Sequence, residues 1–154
     1  MADNRLQSVT IDETALGAAS RDQEQERQIA IFDLVEENVF EPEEAQDGPF
    51  DLSLTMVENK LALDIRGPGY ERRHLLSLSP FRRVLKDYRM ICESYNQAIR
   101  NATPNQIEAL DMGRRGIHNE GSDLLRERLK GKVGIDHDTA RRLFTLICAL
   151  HWRG

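Results

Sequence analysis

The sequence predicts an α+β fold in which a small antiparallel sheet of three to four strands packs against a bundle of four to five helices. Two observations lead to this prediction. Apolar residues alternate with polar ones in several short runs before residue 78, and after it they recur every three or four positions, which are the periods of strands and of helices. Because the strands and most of the helices fall in separate runs, the order argues against a parallel α/β sheet.

The length of 154 residues suits a single globular domain over 1–154, with a strand, helix and hairpin part at 1–78 and a helical part at 79–154. The polar amino terminus predicts no signal peptide, and no run of about 20 apolar residues could span a bilayer. Cys92 and Cys148 lie within helical patterns, so we expect reduced thiols in a cytoplasmic protein that does not contact membranes.

The first half begins with weak alternation over residues 5–12, which predicts a short edge strand with Gln7, Val9 and Ile11 on one side. A capping box at Ser20 predicts a helix to about residue 38. Five residues form the expected apolar face of this helix, namely Ile29, Ile31, Phe32, Leu34 and Val35. The acidic segment 41–49, with two prolines and a glycine, predicts a loop.

The strongest strand signal is a hairpin around a two-residue turn at Glu58-Asn59. With this turn, Leu52 faces Ile65 and Leu54 faces Leu63, so the apolar residues share one side of the sheet. The turn Gly67-Pro68-Gly69 then leads to one further strand, with His74, Leu76 and Leu78 on its apolar side.

The helical half is divided by three start signals. Ser79 and Pro80 predict the start of one helix, Thr103 with Gln106 forms a capping box for the next, and Asp136 or Asp138 caps the last. Gly131 and Gly134 predict a break before that last helix. Trp152, near the end of the chain, is expected to pack against the core.

The stretch 113–121 is the candidate site, because three glycines there surround polar side chains inside an otherwise helical pattern. Each glycine costs a helix roughly 1 kcal/mol relative to alanine, and local conflicts of this kind often mark function. Arg114 and His118 lie four residues apart and would share a face. The alternative is structural: His118 forms a local hydrogen bond and the glycines allow close helix packing.

Charge is distributed unevenly along the chain. Residues 1–65 carry 4 basic and 16 acidic side chains, whereas 66–154 carry 17 basic and 10 acidic ones, for a total of −5. The two halves could attract each other within one fold or between two copies, or the basic half could bind an anion. Several cations open helices, where the dipole disfavours them: Arg82, Arg83, Lys86, Arg89, Arg141 and Arg142.

Motifs for most other chemistry are absent from the sequence. The histidines and cysteines lack zinc spacing, and no phosphate loop or serine-hydrolase elbow occurs. Nothing therefore predicts a metal or a cofactor. Nucleic-acid motifs are also missing and the overall charge is acidic, so the basic residues give nucleic-acid binding only weak support.

Three blocks of the chain resemble uncharacterised protein family 0262, a group of short bacterial proteins: Met90–Tyr95, Ala102–Gly121 and Thr139–Gly154. The similarity extends upstream through Ile31–Leu34 and Val57–Asn59. It implies a bacterial protein, and it carries no activity, ligand or site residue to this chain.

We therefore expect a non-enzymatic binding or regulatory module that binds an anionic ligand or a protein partner, which could include a second copy of the chain. The expected binding residues are Arg82, Arg83, Arg114, Arg115, His118 and Glu120. The alternative is a small ribonuclease-like hydrolase in which His118 and Glu120 exchange protons with substrate. These hypotheses differ in one observable, because only the hydrolase requires His118 and Glu120 to converge on a cleft.

Overall fold

The structure, a computed structural model, describes residues 3–12 and 21–151. The described elements are, in chain order, β1 (Leu6–Ile11), α1 (Arg21–Glu36), β2 (Phe40–Pro42), β3 (Phe50–Val57), β4 (Lys60–Gly67), β5 (Tyr70–Ser77), α2 (Arg82–Asn101), α3 (Pro104–Arg128), β6 (Val133–Ile135) and α4 (His137–His151). The prediction of an α+β fold with helices packed on a small sheet is confirmed. Two expectations, the Ser20 cap and the packing of Trp152, lie outside the described residues.

The main sheet has four strands in the order β1-β3-β4-β5. The pairs β3–β4 and β4–β5 are antiparallel, as expected, whereas β1 runs parallel to β3. The sheet is therefore mixed. The reason lies in the connection, because a long segment containing α1 separates β1 from β3, and such a crossover can return the chain in the same direction.

The hairpin of β3 and β4 has the predicted register. Leu52 pairs with Ile65 and Leu54 with Leu63, and all four side chains are at most 1% exposed. In the turn, the positive φ falls on Glu58, at 58°, although asparagine tolerates this conformation more easily. Burial of one sheet face thus determines the register even though the turn residue is not the favoured one.

The exposed sides of β1 and α1 differ from the predictions. A register irregularity between Leu6 and Ser8 interrupts the alternation of β1, so Leu6 is buried with Val9 while Gln7 is exposed. In α1, Leu34 and Ala30 face the core, but Ile29 and Phe32 are 53% and 66% exposed. The prediction that Ile29 and Phe32 belong to the buried face of α1 is wrong. The side of α1 that contacts the core is narrower than the apolar face that the sequence predicts.

The segments expected to be a loop and a helix break contribute a second, two-stranded sheet. Phe40–Pro42 pairs antiparallel with Val133–Ile135, and the alternate residues of both strands are buried. The turn before β6 contains Gly131, whose φ of 83° suits glycine. Tertiary pairing supplies the hydrogen bonds here, and such short strands have no clear signal in sequence.

Two of the three predicted helix starts in the helical half match the structure. Thr103 and Gln106 form the predicted capping box of α3, and the carboxylate of Asp136 accepts a 2.9 Å hydrogen bond from the Thr139 amide at the start of α4. Ser79 does not cap α2. A 3₁₀ turn over Ser79–Phe81 precedes α2 without a side-chain cap, and the Ser79 hydroxyl instead accepts a hydrogen bond from Asn59.

One cluster of buried apolar side chains joins the main sheet to the helices, with Phe50, Leu54, Leu85, Leu125 and Phe144 among its members. Helices α2 and α3 pack on each other, α3 packs on α4, and α4 on α1. Among the described helices, none is long and apolar enough to cross a membrane. The helices thus form an open row, α2-α3-α4-α1, whose two ends do not pack closely on each other.

The Leu54→Asp variant should unfold much more easily than the parent, because it places an unpaired charge in a site with no solvent exposure. We expect a loss of at least about 3 kcal/mol in the free energy of unfolding, measured in urea. Val57→Asp is the matched control, since Val57 ends the same strand and is 39% exposed. A similar stability for both variants would contradict the assignment of Leu54 to the core.

Candidate functional site

Helix α3 runs without interruption through the three glycines of the candidate stretch. An added Cβ at Gly121 would lie 2.2 Å from the ring of Phe144, whereas one at Gly116 would meet nothing within 4 Å. At Gly113 the nearest atom is the flexible end of Ile91, at 2.8 Å. Gly121 is therefore required for the close packing of α3 on α4, while Gly116 serves no packing purpose.

A cleft of about 320 Å³ lies beside this stretch, between α3 and α4. Eight side chains line it: Tyr88, Arg114, Arg115, His118, Asp138, Arg141, Arg142 and Thr145. The four arginines come from two helices, in adjacent pairs. Three of the residues predicted as binding residues, Arg114, Arg115 and His118, thus meet two of the cations at the start of α4.

Asp111 positions both arginines of α3. Its carboxylate accepts a 2.5 Å hydrogen bond from Nη2 of Arg114 and accepts from Nε and Nη2 of Arg115. These bonds from Arg115 and Arg114 lower the pKa of the Asp111 carboxyl. The guanidinium of Arg114 also lies over the ring of Tyr95, 4.2 Å from its centroid. The first arginine pair is therefore held in place before any ligand binds.

The second pair opens α4. Arg142 donates a 2.8 Å hydrogen bond to the backbone carbonyl of Glu37, which fixes the direction of its side chain. Within the described part of the chain, Arg141 has no carboxylate within ion-pair distance. Asp138 is the one acidic residue in the cleft wall. The cations at the start of α4 consequently remain largely uncompensated by this chain.

His118 lies at the back of the cleft and is only 9% exposed. Its Nε2 is 2.9 Å from the hydroxyl of Thr145, and that hydroxyl donates to the carbonyl of Arg141. Thr145 must therefore accept at its oxygen, which assigns the proton of His118 to Nε2. The other nitrogen, Nδ1, is 3.4 Å from Ser122, whose hydroxyl donates to the carbonyl of His118.

This environment keeps the imidazole neutral. Burial, followed by the positive charges of Arg141 and Arg114, lowers the pKa of His118 to about 4. The ring also packs edge-on against Tyr88 and Phe144, with centroids 5.2 Å away in both cases. His118 thus fixes the hydroxyl of Thr145 in the cleft wall and joins α3 to α4.

The other predicted binding residues lie elsewhere. Glu120 is exposed, and two residues along a helix place it about 200° around the axis from His118. The structure therefore does not bring Glu120 and His118 together. Arg82 and Arg83 are exposed at the start of α2, outside the cleft wall. The sequence did not assign Tyr88 or Thr145 to a site, because no local signal distinguishes them from ordinary helix residues, and it indicated Asp138 only as a possible helix cap.

Metal-binding groups are not assembled in the described residues, where no three His, Cys, Asp or Glu side chains converge. Cys92 and Cys148 are free thiols. Burial raises the pKa of both thiols, which disfavours the reactive thiolate.

Comparison with known proteins assigns the chain to a family. Residues 3–153 match the family described as "Uncharacterised protein family (UPF0262)". A UPF0262 protein of Phenylobacterium zucineum is 74% identical over 151 residues, covering 98% of this chain and 95% of the relative. One of Caulobacter vibrioides is 71% identical over 153 residues, with 99% and 96% coverage. The chain therefore belongs to UPF0262, and no solved structure matches it significantly.

A pair of glycine variants separates packing from helix propensity. Gly121→Ala should lose roughly 1–3 kcal/mol of unfolding free energy, because its methyl group would overlap the ring of Phe144. Gly116→Ala should gain about 0.5–1 kcal/mol, since it meets open space and favours the helix. Urea unfolding of both variants tests this difference, and equal effects would contradict the described contact between α3 and α4.

The titration of His118 predicts how stability depends on pH. Its pKa is about 4 in the fold and about 6.5 in the unfolded chain. Between these values the unfolded state binds the extra proton, so His118 destabilises the fold progressively as pH falls from about 6.5 to 4. His118→Gln should remove this part of the slope, and parallel slopes in urea unfolding of parent and variant would contradict it.

Proposed function

We propose that this UPF0262 protein is a non-enzymatic module that binds a small anionic ligand in the cleft between α3 and α4. The observation that carries the proposal is the meeting of four guanidinium groups, Arg114, Arg115, Arg141 and Arg142, in one cleft wall. The wall contains one carboxylate, that of Asp138, and the Asp111 carboxylate lies behind the first arginine pair. Against these two acidic groups, the four arginines leave an excess of two positive charges.

The arrangement of the arginines supports binding because it limits the side-chain conformational entropy that is lost when a ligand binds. Arg114 is held by Asp111 and by the ring of Tyr95, and Arg142 is held by the carbonyl of Glu37. Side chains that are fixed before binding lose less freedom on association. Arg141 is exposed and lacks an ion pair among the described residues, so it can turn toward a ligand.

The chemistry of the wall favours phosphate or carboxylate groups. A planar guanidinium donates two parallel hydrogen bonds to either group, and such charge-assisted bonds are stronger than neutral ones. The hydroxyl of Thr145 adds a polar contact whose position is set by His118. A volume of about 320 Å³ lies at the small end of ligand sites. We therefore favour a compact anion with more than one acidic group.

Binding is favoured over catalysis by the state of His118. A general base needs an accessible lone pair near its substrate, but Nδ1 of His118 faces the buried hydroxyl of Ser122. Glu120 lies on another side of α3, away from the cleft. The hydrolase alternative therefore lacks the convergence that its chemistry requires, and no other observation favours it.

The proposed setting is the bacterial cytoplasm. The relatives come from bacteria, and the two cysteines are free thiols, which suits a reducing compartment. The proposed ligand would then be a small anion present in that compartment.

Binding can be tested by isothermal titration calorimetry of the full chain with pyrophosphate and with citrate as probes. Arg141→Gln and Arg115→Gln should each weaken binding of the accepted probe about tenfold to a hundredfold, because one charge-assisted contact contributes roughly 1.5–3 kcal/mol. The same probe should raise the melting temperature of the parent above its value in chloride of equal ionic strength.

Arg82→Gln is the matched control, since it removes the same charge from an exposed site outside the cleft. We expect it to bind the probe as the parent does. Equal weakening by Arg82→Gln and Arg141→Gln would mean that overall charge, rather than the cleft, attracts the anion. Absence of heat and of a melting shift with either probe would overturn the proposed function.

A further inference from the structure

A second surface lies at the open end of the helical row, between α1 and α2. A groove of about 400 Å³ separates these two helices. Ile29 and Asp33 of α1 form one wall, Cys92 and Asn96 of α2 form the other, and Cys148 of α4 lies between them. The rims of this groove are formed by exposed residues of α1 and α2.

The α1 rim is apolar and acidic. We call it the α1 ridge: Glu26, Ile29, Phe32, Asp33 and Glu36, all exposed. Ile29 and Phe32 are 53% and 66% exposed, and they lie three residues apart, so they are neighbours on the helix surface. None of the three acidic side chains forms an ion pair with another described residue. An exposed apolar centre with a charged border is typical of a contact surface.

The α2 rim has the opposite charge. We call it the α2 stripe: Arg82, Lys86 and Arg89, all exposed and at three- or four-residue spacing, which places them on one side of the helix. Arg89 is partly compensated by Glu93, at 3.4 Å. Within the described residues, Arg82 and Lys86 have no ion pair.

Both rims belong to the same side of the molecule. Ile29 of the α1 ridge is itself a wall residue of the groove. On α2, Arg89 precedes the wall residue Cys92 by three positions, so the two are surface neighbours. The groove is therefore bordered by an acidic, apolar rim on one side and a basic rim on the other.

We propose that a second copy of this chain docks on this surface, with the α1 ridge of each copy against the α2 stripe of its partner. A two-fold axis through the groove exchanges the two rims, which makes both contacts at once and closes the assembly as a dimer. Opposite charges then meet at the borders, while Ile29 and Phe32 lose solvent contact. The groove shares the side chains of Tyr88, Arg114 and Thr145 with the anion cleft, but the α1 ridge and the α2 stripe include none of these three residues.

The charge distribution of the chain agrees with a second copy as the partner. Residues 1–65 are strongly acidic and 66–154 are basic, yet the described ion pairs are mostly local in sequence. Two of them join the halves, Arg72 with Glu44 and Arg73 with Asp64. Folding of one chain therefore leaves the acidic residues of the α1 ridge, and Arg82 and Lys86 of the α2 stripe, without ion pairs among the described residues. A partner with the same two surfaces compensates both.

The test uses two charge-reversed variants of the full chain in sedimentation velocity at micromolar concentration. The parent should sediment as a dimer, with twice the 17.6 kDa mass of the chain. Asp33→Lys with Glu36→Lys makes both rims basic, and Arg82→Glu with Lys86→Glu makes both acidic, so each double variant should sediment as a monomer. An equimolar mixture should form a heterodimer, because every opposed pair of rims again has opposite charge.

A parent that remains monomeric over this range would overturn the proposal, as would double variants that stay dimeric or a mixture that stays monomeric. A further pair of variants tests the apolar contact made by Phe32. Phe32→Ser should weaken the dimer at least tenfold, whereas Met112→Ser, at a residue that is 64% exposed on α3, should leave it unchanged. Equal effects of Phe32→Ser and Met112→Ser on the dimer would also contradict the proposed surface. Circular dichroism of every variant verifies that the chain is folded.

Discussion

The close packing of α3 on α4 is the constraint on which the cleft depends. Gly121 has no side chain and therefore lets the ring of Phe144 approach the backbone of α3. One turn earlier on α3, His118 reaches Thr145 across the same interface. With the two helices at this distance, Arg114 and Arg115 come into one wall with Arg141 and Arg142. A wider spacing would separate the two arginine pairs and remove the concentrated positive charge.

Electrostatic compensation divides the cations of the helical half into two groups. Some are paired along their own helix, as Arg83 with Asp87 and Arg89 with Glu93, and such exposed pairs contribute little to stability. Others open α2 or α4 without an ion pair to another described residue, and the helix dipole opposes them there. Natural sequences tolerate such an unfavourable charge chiefly where function requires it. The anion cleft and the α2 stripe both contain cations of this kind.

Sequence and structure agree best where one strong local signal is sufficient. The capping box at Thr103 and the register of Leu54 with Leu63 were predictable, because capping needs neighbouring residues and register follows from burying one face. The pairing of Phe40 with Ile135 was not, because its two partners are distant in sequence. The exposure of Phe32 was missed for the same reason, since it depends on how few neighbours reach that side of α1.

The sequence by itself determined the α+β class, the antiparallel hairpin, the glycine-rich stretch of α3 and the positions of the cations along the helices. Only the tertiary structure decided which cations meet. Residues 114–115 and 141–142 lie on different helices, and no periodicity within either helix specifies the angle or distance between them. That geometry follows from packing at Gly121 and Phe144, whereas the continuity of α3 is enough to place Glu120 away from His118. Contacts between distant segments depend on shape, which a one-dimensional pattern does not contain.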